Sequence, residues 1–402
     1  MFTQRKRRTA LFLLILFLVA FVPRTFYPVS RPLQWYERSF RFVDAVVHGR
    51  WADTIVSEHP GVTPMWLIGL CQHGYYALLR ALGFSPPHPL DIAGRAFRTE
   101  IAVSILSLAL AIALGVLLIW WLLRNLFGEA VAWAGAGFLA LDPFHIAISK
   151  VVHVDALLSV LMILSALMLL HHLRLSDRDE GGRSPWARHR WLLASGSFAG
   201  LAFLTKSPAY FLVPFVGLSL LARGRASVWR RYLAPALVWV GAAAVTYVVF
   251  WPAMWVQPGQ TLATVIEGVF KHTGRAHPQP LYYLGNLVTE DPGLGFYGVT
   301  LLVKTTALSL PFFVIGLVCP LTETWRRERR SLGLLVAYVV FFFIQMGLGA
   351  KKAPRYLLPA FPALDIIAGV GLVTLTRRLS SWRTRFSPSL LIGGVLAVQA
   401  AL

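Results

Sequence analysis

An all-α, polytopic integral membrane protein is the fold class this 402-residue sequence predicts, and three observations predict it. Hydrophobic residues make up 56% of the chain and charged residues only 14%, where a soluble domain carries about a quarter charged. Long apolar runs recur along most of the length; they are too long for barrel strands, and lipid tolerates only helices or closed barrels. The third is that the short arginine-rich connections between these runs all fall on one side when the runs are made to cross in alternation.

Taken in order, the apolar segments are roughly 9–23, 101–124, 129–148, 154–173, 191–205, 208–222, 232–250, 298–320, 333–349, 355–376 and 388–402. This gives a single domain over residues 1–402 with about 11 transmembrane helices, several of them shorter than the ~20 residues that span a bilayer. The N-terminus, "RKRRTALFLLILFLVAFVP", pairs a basic start with an apolar run that ends in Pro23-Arg24. No small-residue cleavage site follows, so the run is read as an uncleaved first helix with a cytoplasmic N-terminus. The connections "RKRR", Arg124, "RLSDRDEGGRSPWARHR", "ARGRASVWRR", "TETWRRERR" and "TRRLSSWRTR" then hold more than half of the 38 Lys and Arg on the inner side, as the positive-inside rule requires. The net charge of +20 is accounted for by these loops, so no nucleic-acid partner is expected. The two cysteines, Cys71 and Cys319, fall on opposite sides and imply neither a disulfide nor a metal site. The last run stops at Leu402, which reads as a chain incomplete or naturally short at its C-terminus.

The outer side differs in kind. Residues 24–100 form a first long extracytoplasmic segment with amphipathic helices, and 251–297 a second; both are rich in Trp, Tyr, Pro and Gly. Three short outer turns, "AISKVVHVD", "LTKSP" and "GAKKAPR", join them. Lysines gather there, against the retention rule, and ionisable groups at membrane depth usually mark function. In "EHPGVTPMW" Thr63 can cap a helix with Pro64 in its first position, and Ser207-Pro208 repeats that grammar. Each such start offers free N–H donors to an anion. Lys206 stands beside one and His59 near the other, while Lys351, Lys352 and Arg355 meet at the third turn. Together they read as a phosphate pocket, in which Arg355 can bind bidentately. Glu37, Asp44, Asp53 and Glu58 supply carboxylates in the first segment. Asp155 follows His153 by two residues and opens an otherwise apolar run. Activation of a hydroxyl nucleophile needs such a carboxylate or a histidine. Trp51, Trp66, Trp251 and Trp255 are candidates for stacking on a sugar, although most aromatics belong to the interfacial belt.

At these residues the sequence resembles the type C membrane glycosyltransferases, in the glycosyltransferase family 39-like branch of the protein O-mannosyltransferases and bacterial aminoarabinose transferases. The segments that carry the likeness are "YERSFRF…HGRWADTIVSEHPGVTPMWL", "LDPFHIAISKVVHVDALLSVLMIL", "GLAFLTKSPAYFLVPF", "WPAMWVQP…YYLGN…PGLGFY" and "KKAPRYLLPAFPALDIIAG". The resemblance implies a type C glycosyltransferase fold. It implies an enzyme of the bacterial inner or plasma membrane that moves a sugar from a polyprenyl-phosphate donor to a glycan, lipid or protein acceptor outside the cytoplasm, with inversion. Where the family carries Asp-Glu this chain reads Tyr36-Glu37, so Glu37, Asp44 or Asp53 is left as the base. Asp155 matches the carboxylate of the second turn. His59, His153, Lys206, Lys351, Arg355 and Tyr356 fall where donor contacts are expected. A divalent cation on the carboxylates is compatible with the resemblance, but no ligand spacing requires one and no metal ligands are assigned.

Two other classes remain open. A lipid or polysaccharide flippase or transporter needs polar groups along a membrane path. Asp365, about ten residues into its helix and so ~15 Å deep, hints at one; its plainer reading is a hydrogen-bonded group between helices. An inactive subunit of an envelope assembly would account for the lost first carboxylate.

Overall fold

The computed structural model describes residues 2–29, 32–91, 98–177, 185–221, 232–273, 280–382 and 387–402. The predicted inner connection 222–231 and parts of those spanning 174–190 and 376–385 lie outside them. The first long segment contributes α2 (Gln34–Val47) after the N-terminal α1 (Phe2–Thr25), then α3 (Val62–Ala81). Next come α4 (Arg98–Phe127), α5 (Glu129–Leu141), α6 (Pro143–Ser149), α7 (Asp155–Asp177) and α8 (Pro185–Phe203). The chain continues through α9 (Leu212–Leu221), α10 (Ala234–Phe250), α11 (Ala253–Val256) and α12 (Pro258–Thr273). A small hairpin, β1 (Leu281–Tyr283) and β2 (Asn286–Val288), precedes α13 (Phe296–Lys304) and α14 (Ser309–Val318). The last helices are α15 (Arg329–Leu348), α16 (Phe361–Trp382) and α17 (Pro388–Ala401).

Each apolar segment expected from the sequence is mostly helical over its described residues, with 129–148 broken at Asp142 and 298–320 broken over 305–308, and the chain is an integral membrane protein by the length and apolarity of these helices. Among the described residues, five helices are long and apolar enough to cross a bilayer. Counting two bent pairs, α5 with α6 (51°) and α13 with α14 and the turn after it (119°), gives seven. The expected figure was about 11. The difference lies in helices such as α10 and α17, which are apolar but stop short of a full span, and in stretches outside the described residues.

The core is built around α7 and α16. Every residue in the apolar window of α7 is buried, as is that of α16, whereas α1 buries only 17% of its window. A helix apolar on all sides is stable only when surrounded by protein or lipid, and α7 packs between α4, α8 and the 3₁₀ segment Pro354–Ala360. Helix α16 lies against α5 and α14. Small residues allow the close approach: a Cβ on Gly369 would stand 2.5 Å from the backbone nitrogen of Gly135, the close-packed contact that drives association where no hydrophobic force acts between helices.

Helix α2 is amphipathic, burying Trp35, Tyr36, Phe40, Phe42 and Val43 against α3. The turn between them is built differently from the sequence expectation. Thr63 does not cap α3; Gly61 occupies that position at φ +59°, and the helix begins at Val62. The Thr63 hydroxyl donates to the carbonyl of Leu201, 2.7 Å away. The N–H groups of Gly61 and Val62 donate to Thr205 and Leu204, so the end of α8 takes the donors that an anion was expected to use. Ser207 likewise forms no cap; Lys206 precedes the 3₁₀ turn Ser207–Phe211 in extended conformation. Backbone carbonyls from a distant helix supplied the partners that local rules assigned to side chains and ligand.

Candidate functional site

The turn 58–62 is a hub. Its pairing with the end of α8 sets Lys206 one residue beyond the contact. On the other side, a Cβ on Gly61 would fall 2.0 Å from the Trp35 ring and one on Gly268 of α12 would fall 2.7 Å from the Glu58 carbonyl. Lys271 of α12 also pairs with Glu58 at 2.6 Å. The first and second long segments therefore meet here, over the end of α8.

At its centre is Asp155, the first residue of α7, 2% exposed. Its Oδ1 accepts from Lys206 Nζ at 2.6 Å. Its Oδ2 lies 3.0 Å from His153 Nδ1 and 3.5 Å from Arg355 Nε. The Tyr356 ring lies under both cations, 4.5 Å from Lys206 Nζ and 5.4 Å from the Arg355 guanidinium. The Trp35 ring meets His153 edge-on, with centroids 6.2 Å apart. Lys351 is half-buried beside this group. Burial and the neighbouring charges of Lys206 and Arg355 hold its pKa below the usual lysine value, with Glu58 acting in the opposite sense. One carboxylate therefore gathers two permanent cations and an imidazole, with a third cation adjacent. The excess is positive and partly shielded from solvent, and an excess of that sign favours an incoming anion.

The structure thus brings together Asp155, His153, Lys206, Arg355, Tyr356 and, through its field, Lys351. His59 sits in the adjoining turn, half-buried, its N–H donating to Ser57 Oγ. Glu37 is half-buried in the first turn of α2, two residues from Trp35. Asp44 lies about two turns further along α2 and is engaged elsewhere: it pairs with Arg50, and with His48 at 3.3 Å. It lines a separate cavity of about 480 Å³ with Arg41, Arg80, His73 and His88.

Two residues were underrated. Lys352 is 1% exposed and donates to Asp291 Oδ1 at 2.6 Å and to the Gly349 carbonyl. It ties the third outer turn to the second long segment, and its hydrogen bond is the main cause of the lowered pKa of Asp291. Tyr297 is buried with Tyr356, Asp291 and Asp155 as its electrostatic neighbours. Its only sequence signal was its position after "PGLGF". Among the stacking candidates, Trp251 is buried and donates to the Thr54 carbonyl, so its faces are in the core. Trp255 is half-exposed beside Trp51. Among the described residues no three His, Cys, Asp or Glu side chains cluster as metal ligands.

Comparison with known proteins adds the fold. Residues 95–255, about two fifths of the chain, match the family model of the dolichyl-phosphate-mannose-protein mannosyltransferases. ArnT from Cupriavidus metallidurans in the apo state superposes with a TM-score of 0.63 at 18% identity, over 94% of this chain and 62% of that one. The same protein bound to undecaprenyl phosphate gives 0.61 at 18% identity, over 97% and 69%. The oligosaccharyltransferase of Archaeoglobus fulgidus in the apo form gives 0.59 at 14% identity, over 96% and 53%. The chain thus spans between about half and two thirds of these proteins. No curated protein matches the sequence. The fold is that of the type C membrane glycosyltransferases. Within that class the segment bearing Asp155 and Lys206 is the part that resembles the mannosyltransferase family.

Proposed function

We propose that this chain transfers a sugar from a polyprenyl-phosphate donor to a lipid, polysaccharide or protein acceptor on the extracytoplasmic face of the membrane, inverting the anomeric centre. The observation that carries this reading is the net-positive cluster on Asp155, set where an apolar helix begins. A donor whose tail lies in the bilayer presents its phosphate at that depth. Binding of undecaprenyl phosphate by ArnT and of dolichol phosphate by the archaeal oligosaccharyltransferase, both of this fold, supports the donor class.

In this reading Lys206, Arg355 and Lys351 receive the phosphate, and Tyr356 fixes the first two. As the sugar leaves, negative charge grows on that phosphate, and preorganised cations stabilise it. With both oxygens engaged by cations, Asp155 suits positioning them better than accepting a proton. Glu37 is then the proposed base, on the helix whose Trp35 meets His153, and His59 lines the donor side. The arrangement with a cytoplasmic N-terminus and about 11 passes is part of the same proposal, supported by the arginine-rich connections.

Purified protein, offered radiolabelled polyprenyl-phosphate sugars and a membrane extract of its source, should transfer label. Lys206→Ala and Glu37→Gln should each abolish at least 99% of it. Undiminished transfer in both variants overturns the assigned site, and no transfer with any donor overturns the class.

A further inference from the structure

Behind the Asp155 cluster lies a second buried group that the proposed transfer does not use. Asp142 caps α6, its Oδ1 accepting from the N–H groups of Phe144 (2.7 Å) and His145 (3.1 Å). Asp365 comes from the first turns of α16, and the two carboxyl groups lie within hydrogen-bond reach of each other. They are 5% and 7% exposed. Apart from the opposite carboxyl group, the Oδ2 of each is buried without a hydrogen-bond partner, and the Oγ1 of Thr305 at the break between α13 and α14 is likewise unpartnered. All three residues line one cavity of about 10 Å³, together with Thr306, Ser309 and Gln399 and with apolar groups that include Phe313, Phe361 and Leu364. That volume is at the lower limit for a single water.

The surrounding charge decides what such a space should hold. Arg24 of α1 is fully buried nearby. Its terminal nitrogens donate to the carbonyls of Ala20, Leu139 and Ala140 and to His145 Nδ1, at 2.7–3.2 Å, rather than to either carboxylate. Because the guanidinium occupies Nδ1, the neutral His145 ring carries its proton on Nε2, which meets Ser159 Oγ at 2.9 Å. Lys304 is exposed, its ammonium over the Phe144 ring at 5.7 Å. The interior count is two carboxyl groups against one guanidinium. With both carboxyl groups ionised, a water would leave one net negative charge in the membrane interior, where uncompensated charge is costly; a proton shared by the pair removes that charge. A single positive charge balances it, and a divalent ion would overshoot. The donors are all oxygens, the preference of hard cations.

We propose that Asp142, Asp365 and Thr305 form a buried binding site for one monovalent alkali cation of about sodium size, in competition with a proton shared by the two carboxyl groups. Oδ2 of each aspartate and Oγ1 of Thr305 are the direct ligands. Gln399 and Ser309, joined through the Thr306 hydroxyl at 3.0 and 2.8 Å, close the site from α17 and α14.

The test uses the purified full chain in neutral detergent at pH 8, with choline chloride holding ionic strength constant. Binding of ²²Na⁺ should saturate at one per chain, and replacing choline by sodium should raise the thermal midpoint. Asp365→Asn supplies its own hydrogen-bond donor and removes the excess charge. It should abolish sodium binding while unfolding no earlier than the parent protein in choline. Thr305→Val should weaken binding at least tenfold, and acidification to pH 6 should release the ion. A thermal midpoint that rises on acidification without any sodium binding at pH 8 assigns the pair to a proton alone and overturns the cation site. Indifference to both sodium and pH overturns it in favour of a bridging water.

Discussion

The cluster at the head of α7 and the carboxyl pair behind it each centre on buried carboxyl groups and are both assembled from residues far apart in the chain, and their imbalances are opposite. Around Asp155 one carboxylate holds Lys206, Arg355 and an imidazole. Around Asp142 and Asp365 two carboxyl groups face one guanidinium that is bonded elsewhere. Desolvation makes either excess costly, so each is suited to a ligand of the opposite sign. The geometry differs to match. The first cluster is formed by flexible cationic arms at a junction of outer turns, where a large headgroup fits. The second is a void of one water's size between rigid helices.

The sharpest break of this comparison is removal of a carboxylate from each. Asp155→Ala leaves the buried Lys206 and the partly exposed Arg355 without their shared counter-ion and should cost about 3 kcal/mol of stability, the low end for a buried pair, read as a lowered thermal midpoint in detergent. Asp365→Asn should unfold no earlier than the parent in sodium-free buffer; equal losses in the two variants would erase the distinction. Next, Arg355→Lys keeps the charge but loses the planar fork. It should lower kcat/KM for a polyprenyl-phosphate donor roughly tenfold, with no change in thermal midpoint beyond about 1 °C. A comparable effect, on stability instead, is expected from Gly61→Ala, which forces a methyl group into the Trp35 ring and a side chain to positive φ. About 1–3 kcal/mol of destabilisation follows, with KM for donor raised more than kcat is lowered, since the turn carries no reacting group.

The smallest effect concerns the outer tie between Asp291 and Lys352. The pKa of Asp291 is depressed below 3.8, chiefly by the Lys352 hydrogen bond. Its contribution is therefore present above pH 3.8 and lost as pH falls through the folded-state value. Asp291→Asn should lower the thermal midpoint near neutral pH, and the difference from the parent should close below pH 3.8.

Hydropathy made the helices legible, because a membrane segment advertises itself by composition alone. The charged outer residues were legible for a related reason: a lysine beside "SP" or a carboxylate opening "DALLSVLMIL" is out of place unless it has a partner. The identity of that partner was not legible. Asp155 and Lys206 are 51 residues apart, and Arg355 is further still; nothing local says that one carboxylate serves all three neighbours. The helix starts were misread for the same reason. Thr63 and Ser207 carry sound capping grammar, but tertiary contacts with the end of α8 took precedence in one case and a 3₁₀ turn in the other. Asp142 was hidden by its conformity: Asp-Pro at a helix start looks like a cap, and it is one, with its second oxygen left for another purpose. Asp365, singled out for its depth, has the hydrogen-bonding neighbour expected of a buried group.

His145 connects the carboxyl pair to α7, the helix that carries Asp155. Its ring reaches Ser159, one turn (~6 Å) below Asp155 on α7, and its backbone N–H is held by Asp142. Sites of opposite charge so close together are thermodynamically linked. Anything that adds negative charge at the outer cluster tightens the hold on a positive ion behind it, and the converse follows with the same free energy. Headgroup affinity in such a protein would therefore depend on the salt of the surrounding solution in a species-specific way, and sodium and choline at equal ionic strength would give different dissociation constants for one lipid.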